Sequence, residues 1–169
     1  SVANSWLEAS VEIPKADVFV IAVPTPFLSD KSPDMSSVFD VARAIAPQLE
    51  KNNLLILEST SPVGTLEIFA DIIMAERHKL DLDYLEIRSE SPDIFLAYCP
   101  ERVLPGNIFE ELVNNDRVIG GLCRESAARA AEFYNSFIEG QCFQTDSKSA
   151  ELTKLVENSY RDVNIAFAN

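Results

Sequence analysis

The chain has 169 residues, enough for one domain with a real core. Hydrophobic residues make up 47% and charged residues 24%, the balance of an ordinary globular protein, whereas 27 Asp and Glu against 14 Lys and Arg leave a net charge of -13. That excess weighs against a nucleic-acid partner, because neutralised phosphates supply most non-specific affinity there, and it requires any anionic ligand to be held by a few local cations and backbone N–H groups against the overall field. Three cysteines, Cys99, Cys123 and Cys142, form no Cys-x-x-Cys pair, and the single histidine, His78, leaves no His-based metal site. Reduced thiols, a cytoplasmic setting and no bound metal are therefore expected. No apolar run reaches membrane-spanning length and no signal segment opens the chain, so no membrane partner is expected.

In chain order, Leu7 to Ser10 is a candidate short strand. Asp17 to Val23 is a continuous β-rich run, the pattern of a strand buried on both faces. Ser36 to Leu49 carries Val38, Val41, Ile45 and Leu49 at helical spacing, with Asp34 or Ser36 available as N-cap. Leu54 to Ser59 is a second strand, and Thr65 to Arg77 a helix with Ile68, Ile72 and Ile73 inward. Lys79 to Asp93 breaks the rhythm: it is acidic, contains Ser-Pro and reads as a surface excursion. A strand at Ile94 to Cys99 follows, then a short one at Val118 to Gly120, a helix at Ser126 to Phe137 and a strand at Cys142 to Thr145. A long helix opens near Asp146 or Ser147 and runs toward Asn169. Strand and helix alternating in this way predict an α/β fold, a mostly parallel sheet with helices on both faces. The chain opens without a Gly-x-Gly-x-x-Gly turn and ends with helical pattern still running, so it is expected to be the middle of a longer polypeptide.

Ligands of open α/β sheets bind just beyond the carboxyl ends of strands, and three strand ends here carry polar residues. Val23-Pro24-Thr25-Pro26 exposes the Thr25 hydroxyl at the sheet edge; the alternative is a rigid turn set by the prolines. Glu58-Ser59-Thr60-Ser61-Pro62-Val63-Gly64 brings three hydroxyls and a glycine to a helix N-terminus, where free N–H groups suit an anion or a ribose; the alternative is helix capping. Cys99-Pro100-Glu101-Arg102-Val103-Leu104-Pro105-Gly106 places Arg102 beside a Pro-Gly turn, a fork for phosphate or sugar oxygens, against a surface ion pair with Glu101. Cys99 reads as a core residue rather than a nucleophile, having no histidine near it in sequence. On the last helix, Lys154, Asn158 and Arg161 share one face opposite Leu152, Val156 and Val163, either a solvated stripe or an electrostatic clamp.

Taken together these segments resemble the UDP-glucose/GDP-mannose dehydrogenase family, the nucleotide-sugar 6-dehydrogenases. The carriers are Ile21 to Pro26, Glu58 to Gly64, Tyr98 to Gly106, Asn115-Asp116-Arg117-Val118-Ile119-Gly120-Gly121 and Lys154 to Asn169, and the resemblance runs from about Leu7 to Asn169. The Glu-Arg-Val-Leu-Pro-Gly wording is similar to the branch that uses N-acetylhexosamines. The resemblance implies the second half of a Rossmann-like NAD-binding domain over residues 1–146 and the start of a central, dimerising helix over 147–169. It implies NAD-dependent oxidation of a UDP-N-acetylhexosamine, UDP-N-acetyl-D-mannosamine first among them, to the uronic acid for surface polysaccharide biosynthesis. In that reaction two NAD are reduced in succession and a cysteine thioester carries the intermediate. On matching positions, Thr25 and Thr60 are implied NAD contacts, Arg102 and Val103 the substrate-binding loop, and Asn158 and Arg161 substrate contacts. Lys154 matches the active-site lysine, an acid/base or a stabiliser of oxyanions. The implied partners are a UDP-sugar and a second copy of the chain in a homodimer. The family's thioester cysteine follows a Gly-Gly-His-Cys segment that this sequence does not contain, so the 169 residues alone are expected to be inactive. A non-catalytic self-associating module and a related hydroxyacid dehydrogenase are the competing readings.

Overall fold

The computed structural model describes residues 7–101 and 106–169. Five strands, β1 (Val18–Ile21), β2 (Leu54–Leu57), β3 (Phe95–Tyr98), β4 (Arg117–Gly121) and β5 (Cys142–Asp146), form one sheet in the order of the sequence. The helices are α1 (Ser36–Ile45), α2 (Thr65–Lys79), α3 (Ile108–Asn114), α4 (Arg124–Asn135) and α5 (Ser147–Ala168). Alternate strand residues divide between two cores. Leu55, Leu57, Leu96 and Tyr98 meet α1 and α2 on one face, while Leu54, Ile56, Phe95, Ala97 and Cys99 meet Ala130, Ala131 and Tyr134 of α4 on the other. Every residue of β2 and β3 is buried, which is why these strands read as unbroken apolar runs rather than alternating ones. Among the described residues no helix is long and apolar enough to cross a membrane.

The α/β class and the mostly parallel sheet hold, with one antiparallel pairing within it. β1, β2 and β3 are parallel, whereas β4 pairs antiparallel to β3 through Ala97 with Gly121 and Tyr98 with Gly120. The chain leaves β3 at its carboxyl end, forms α3, and re-enters the sheet from that same end. β5 is parallel to β4 and so also runs against β1–β3. The helix that follows β5 is thereby carried back toward the carboxyl ends of β2 and β3, and this reversal is what delivers α5 to them.

Other differences have local causes. Leu7 to Ser10 is exposed coil with no strand partner. α3 is a further element of only seven residues: Ile108, Phe109, Leu112 and Val113 recur at helical spacing, yet none of its residues is buried. On α2 the inward residues are Leu66, Phe69, Ala70 and Ile73, while Ile68 is 48% exposed. Lys79 to Asp93 is not simply a surface excursion. Leu85 and Ile87 are buried in the core, and the buried Arg77 guanidinium donates to the Asp83 carbonyl at 2.8 Å and the Ala46 carbonyl at 2.7 Å. The N-cap position of α1 falls on Met35, with no side-chain cap, rather than on Asp34 or Ser36; Asp34 instead accepts the Ser36 N–H at 2.9 Å in a local turn just before the helix.

Asp146 caps α5, accepting the Ser149 N–H at 2.9 Å, and Ala150 is fully buried against the sheet. This close seating needs Gly120: a Cβ there would lie 2.4 Å from the Asp146 carbonyl oxygen and 2.6 Å from the Ala150 Cβ. The conflict is with backbone, so no rotamer relieves it. Gly120→Ala is therefore expected to cost about 1–3 kcal/mol of stability by overpacking, read as a lower urea midpoint. An unchanged midpoint would contradict the seating of α5 on β4.

Candidate functional site at the carboxyl edge of the sheet

The exits of β1 and β2 are tied together by one hydroxyl. Ser59 accepts the Val23 N–H and donates to the Val23 carbonyl, both at 2.8 Å. Ser61 donates to the Ser59 carbonyl at 2.8 Å, and Thr65 to the Pro62 carbonyl at 2.7 Å. Thr60 stands between two engaged serines, half-buried, and its hydroxyl makes no hydrogen bond among the described residues; the same is true of Thr25. Two hydroxyls thus remain for a ligand at adjacent strand ends.

The helix N-terminus in this loop is not open. Gly64 holds φ +95°, a left-handed conformation suited to glycine, just before α2. The N–H groups of Gly64 and Leu66 then donate to the two carboxylate oxygens of Glu151 on α5, at 2.6 and 2.8 Å. Glu151 is fully buried, and that burial raises its pKa above the ordinary carboxylate range while the two N–H donors oppose the rise. The expectation of an external anion at the start of α2 is overturned, because an internal carboxylate already stands there.

One turn further along α5, Lys154 donates to the backbone carbonyl of Glu101, just beyond β3. The Cys99–Gly106 motif and the helix stripe, widely separated in sequence, are thus brought together. Asn158 is half-buried and accepts a long hydrogen bond of 3.4 Å from Arg161, which is exposed. Lys154 and Asn158 are half-buried, while Arg161 is exposed. It is the apolar side of the helix that faces outward, with Leu152 51%, Val156 56% and Val163 67% exposed. Arg102 and Val103 lie outside the described residues.

Behind the loops, on the α4 side, sits a polar cluster that sequence reading missed. The Tyr134 hydroxyl donates to the Glu58 carboxylate, Arg117 Nη1 lies 3.9 Å from the same carboxylate, and the guanidinium stands 4.4 Å over the Tyr134 ring. Cys99 points into this cluster, its Sγ 4.0 Å from Arg117. Arg117 opens β4, and because β4 is reversed it comes to lie beside the carboxyl ends of β2 and β3. Among the described residues no group of acidic, cysteine or histidine side chains could hold a metal.

Comparison with known proteins gives a consistent result. The model of the UDP-glucose/GDP-mannose dehydrogenase family, NAD binding domain, matches residues 2–138. Over all 169 residues the chain is 52% identical to the UDP-N-acetyl-D-mannosamine dehydrogenase of Escherichia coli (strain K12) and 50% identical to the NDP-N-acetyl-D-galactosaminuronic acid dehydrogenase of Ralstonia nicotianae. It spans 40% of the length of each. Among solved structures, the UDP-N-acetyl-mannosamine dehydrogenase of Staphylococcus aureus superposes with a TM-score of 0.84 at 40% identity, over 99% of this chain and 39% of that one.

The three thiols differ in environment. Burial pushes the Cys99 thiol up to about 11, with Arg117 opposing. Cys123 and Cys142 are half-buried, Cys123 accepting the Ser126 N–H as the cap of α4. Titration of the native protein with a thiol reagent at neutral pH is expected to modify Cys123 and Cys142, and Cys99 only on unfolding. Rapid modification of Cys99 in the native state would contradict its placement.

Proposed function

Because the chain belongs to the UDP-glucose/GDP-mannose dehydrogenase family, we propose that it forms the second half of the NAD-binding domain, and the opening turns of the lysine-bearing helix, of a nucleotide-sugar 6-dehydrogenase. The substrate we assign is a UDP-N-acetylhexosamine, UDP-N-acetyl-D-mannosamine first, in keeping with what the relatives are named for. The observation that carries the reading is the meeting of Lys154 with the β3 exit at Glu101, on the same edge of the sheet as the unengaged hydroxyls of Thr25 and Thr60 beyond β1 and β2. The family model ends at residue 138 and α5 begins at Ser147, which supports a boundary near 146 between cofactor platform and helix.

The residues present fit part of NAD. Thr25 and Thr60 would hold hydroxyl or amide groups of the cofactor, since both offer a donor and acceptors that no described residue uses. The start of α2 does not suit its pyrophosphate, being occupied by Glu151. When bound, NAD supplies the hydride acceptor. The chain's own part is to orient the sugar nucleotide and manage charge. Lys154 as an ammonium has three N–H donors, and the Glu101 carbonyl takes one. The others serve a substrate oxygen as it gains negative charge, or pass a proton to or from it. Asn158 and Arg161 continue the same helix face and are assigned to the substrate's oxygens, and Arg102 and Val103 are assigned to the substrate by the family resemblance. The family's acyl-carrying thiol finds no match in Cys99, which points through the sheet toward α4. The unpaired cysteines fit a cytoplasmic setting.

A second copy of the chain is the partner we assign to α5. Leu152, Val156, Tyr160 and Val163 are more than half exposed along one stripe, and an apolar stripe of this length is a normal signature of an interface. Sedimentation is expected to show a dimer that Val156→Glu converts to monomer. A wild-type monomer at all concentrations would remove the assignment.

The 169 residues alone are expected to bind NAD and to form no NADH with UDP-N-acetyl-D-mannosamine. Thr60→Val is expected to weaken NAD binding about fivefold, the roughly 1 kcal/mol of one lost hydrogen bond. NAD binding indifferent to Thr60, or NADH formation by the chain itself, would refute the corresponding part of the reading.

A further inference from the structure

We propose that Glu151 is a positioning residue that locks the loop carrying Thr60 to the turn of α5 carrying Lys154. The proposal rests on the reading of those two residues given above. Glu151 is fully buried, and its oxygens are met by two backbone N–H groups, those of Gly64 and Leu66. Among the described residues no cation pairs with it. Lys148, one turn earlier on the same helix, pairs with Glu67 at 3.1 Å instead. An apolar side chain would fill this space without the cost of desolvating a carboxylate. What the carboxylate adds is direction. Two fixed acceptors facing two fixed donors set both the height and the rotation of α5 against the start of α2.

Lys154 lies three residues on, about 4.5 Å along the axis and on the same side of the helix. It is seated on the Glu101 carbonyl, while Ala150, on the other flank of Glu151, is packed against Gly120. A single turn of α5 is thus fixed to β4 beneath it, to the β2 exit through Glu151 and to the β3 exit through Lys154. Since a helical turn is rigid, neither exit shifts without the other. The loop assigned to the cofactor and the lysine assigned to the substrate are held in register by one carboxylate.

The test is coupling in both directions, on the 169-residue chain. Glu151→Gln keeps the volume but presents an amide N–H₂ to one of the two N–H donors. It is expected to speed hydrogen exchange at the Gly64 and Leu66 amides about tenfold and to speed trace acylation of Lys154 by acetic anhydride. Acylation of Lys51, which pairs with Asp93 away from the site, should not change. Coupling is reciprocal, so Lys154→Met should speed exchange at Gly64 and Leu66 in turn. Faster exchange in Glu151→Gln with an unchanged Lys154 rate would reduce Glu151 to a local cap of α2 and overturn the proposal. So would unchanged exchange in Lys154→Met, and that variant decides alone if Glu151→Gln does not fold. A wild-type chain that binds neither NAD nor a UDP-sugar would sink the functional reading, while exchange and acylation would still decide the coupling.

Discussion

The contact between the Glu151 carboxylate and the N–H groups at the start of α2 joins parts of the molecule that lie far apart in the sequence. Its donors and acceptor are 87 residues apart in the chain for Gly64 and 85 for Leu66, yet they meet in the interior. A helix start leaves unsatisfied N–H groups that must find partners, and a buried carboxylate needs donors or it costs several kcal/mol. Each deficiency answers the other. The order of the β2 exit, with Ser59 bonded to the β1 exit and Thr60 left facing outward, follows from this one pairing together with the Ser59 hydroxyl.

The pairing is possible because of a turn of topology two strands earlier. Had β5 run parallel to β1–β3, the helix after it would begin at their carboxyl edge and lead away. Reversal of β4 and β5 starts α5 deeper in the sheet and sends it along the face toward that edge. The price is close approach at the start, where α5 crosses β4, and Gly120 is the residue that permits it. The same reversal places Arg117, the first residue of β4, beside Glu58 and Cys99 rather than at the opposite end.

Much of this was legible in the residues. Continuous apolar strands alternating with helical spacings pointed to the α/β class, because burial on two faces is written locally. Strand direction is not local. The stretch Val118-Ile119-Gly120 reads the same in either orientation, and only its pairing with Tyr98 and Ala97 distinguishes them. Glu151 was missed for a similar reason: within Ser-Ala-Glu-Leu-Thr-Lys it looks like an acid near a helix start facing solvent. The apolar stripe of α5, Leu152, Val156 and Val163, is exposed, so the spacing of a helix shows two faces without showing which of them this chain covers. Its exposure shows that burial cannot be assigned to a helix face before its partners are known.

The excess of acidic charge makes the arrangement of the edge informative. At physiological salt, charges beyond about 8 Å are largely screened, so the potential a ligand meets is set by the groups beside it. Acidic residues near the strand exits are turned to internal work. Glu58 takes the Tyr134 hydroxyl and faces Arg117, and Glu151 is sunk beneath two N–H groups. Along α5 beside this edge stand Lys154, Asn158 and Arg161, one ammonium, one amide and one guanidinium, with the acidic Glu157 and Asp162 among them. In a chain of net charge -13, two of the carboxylates nearest these exits are thus engaged in holding the loops in place rather than left facing solvent.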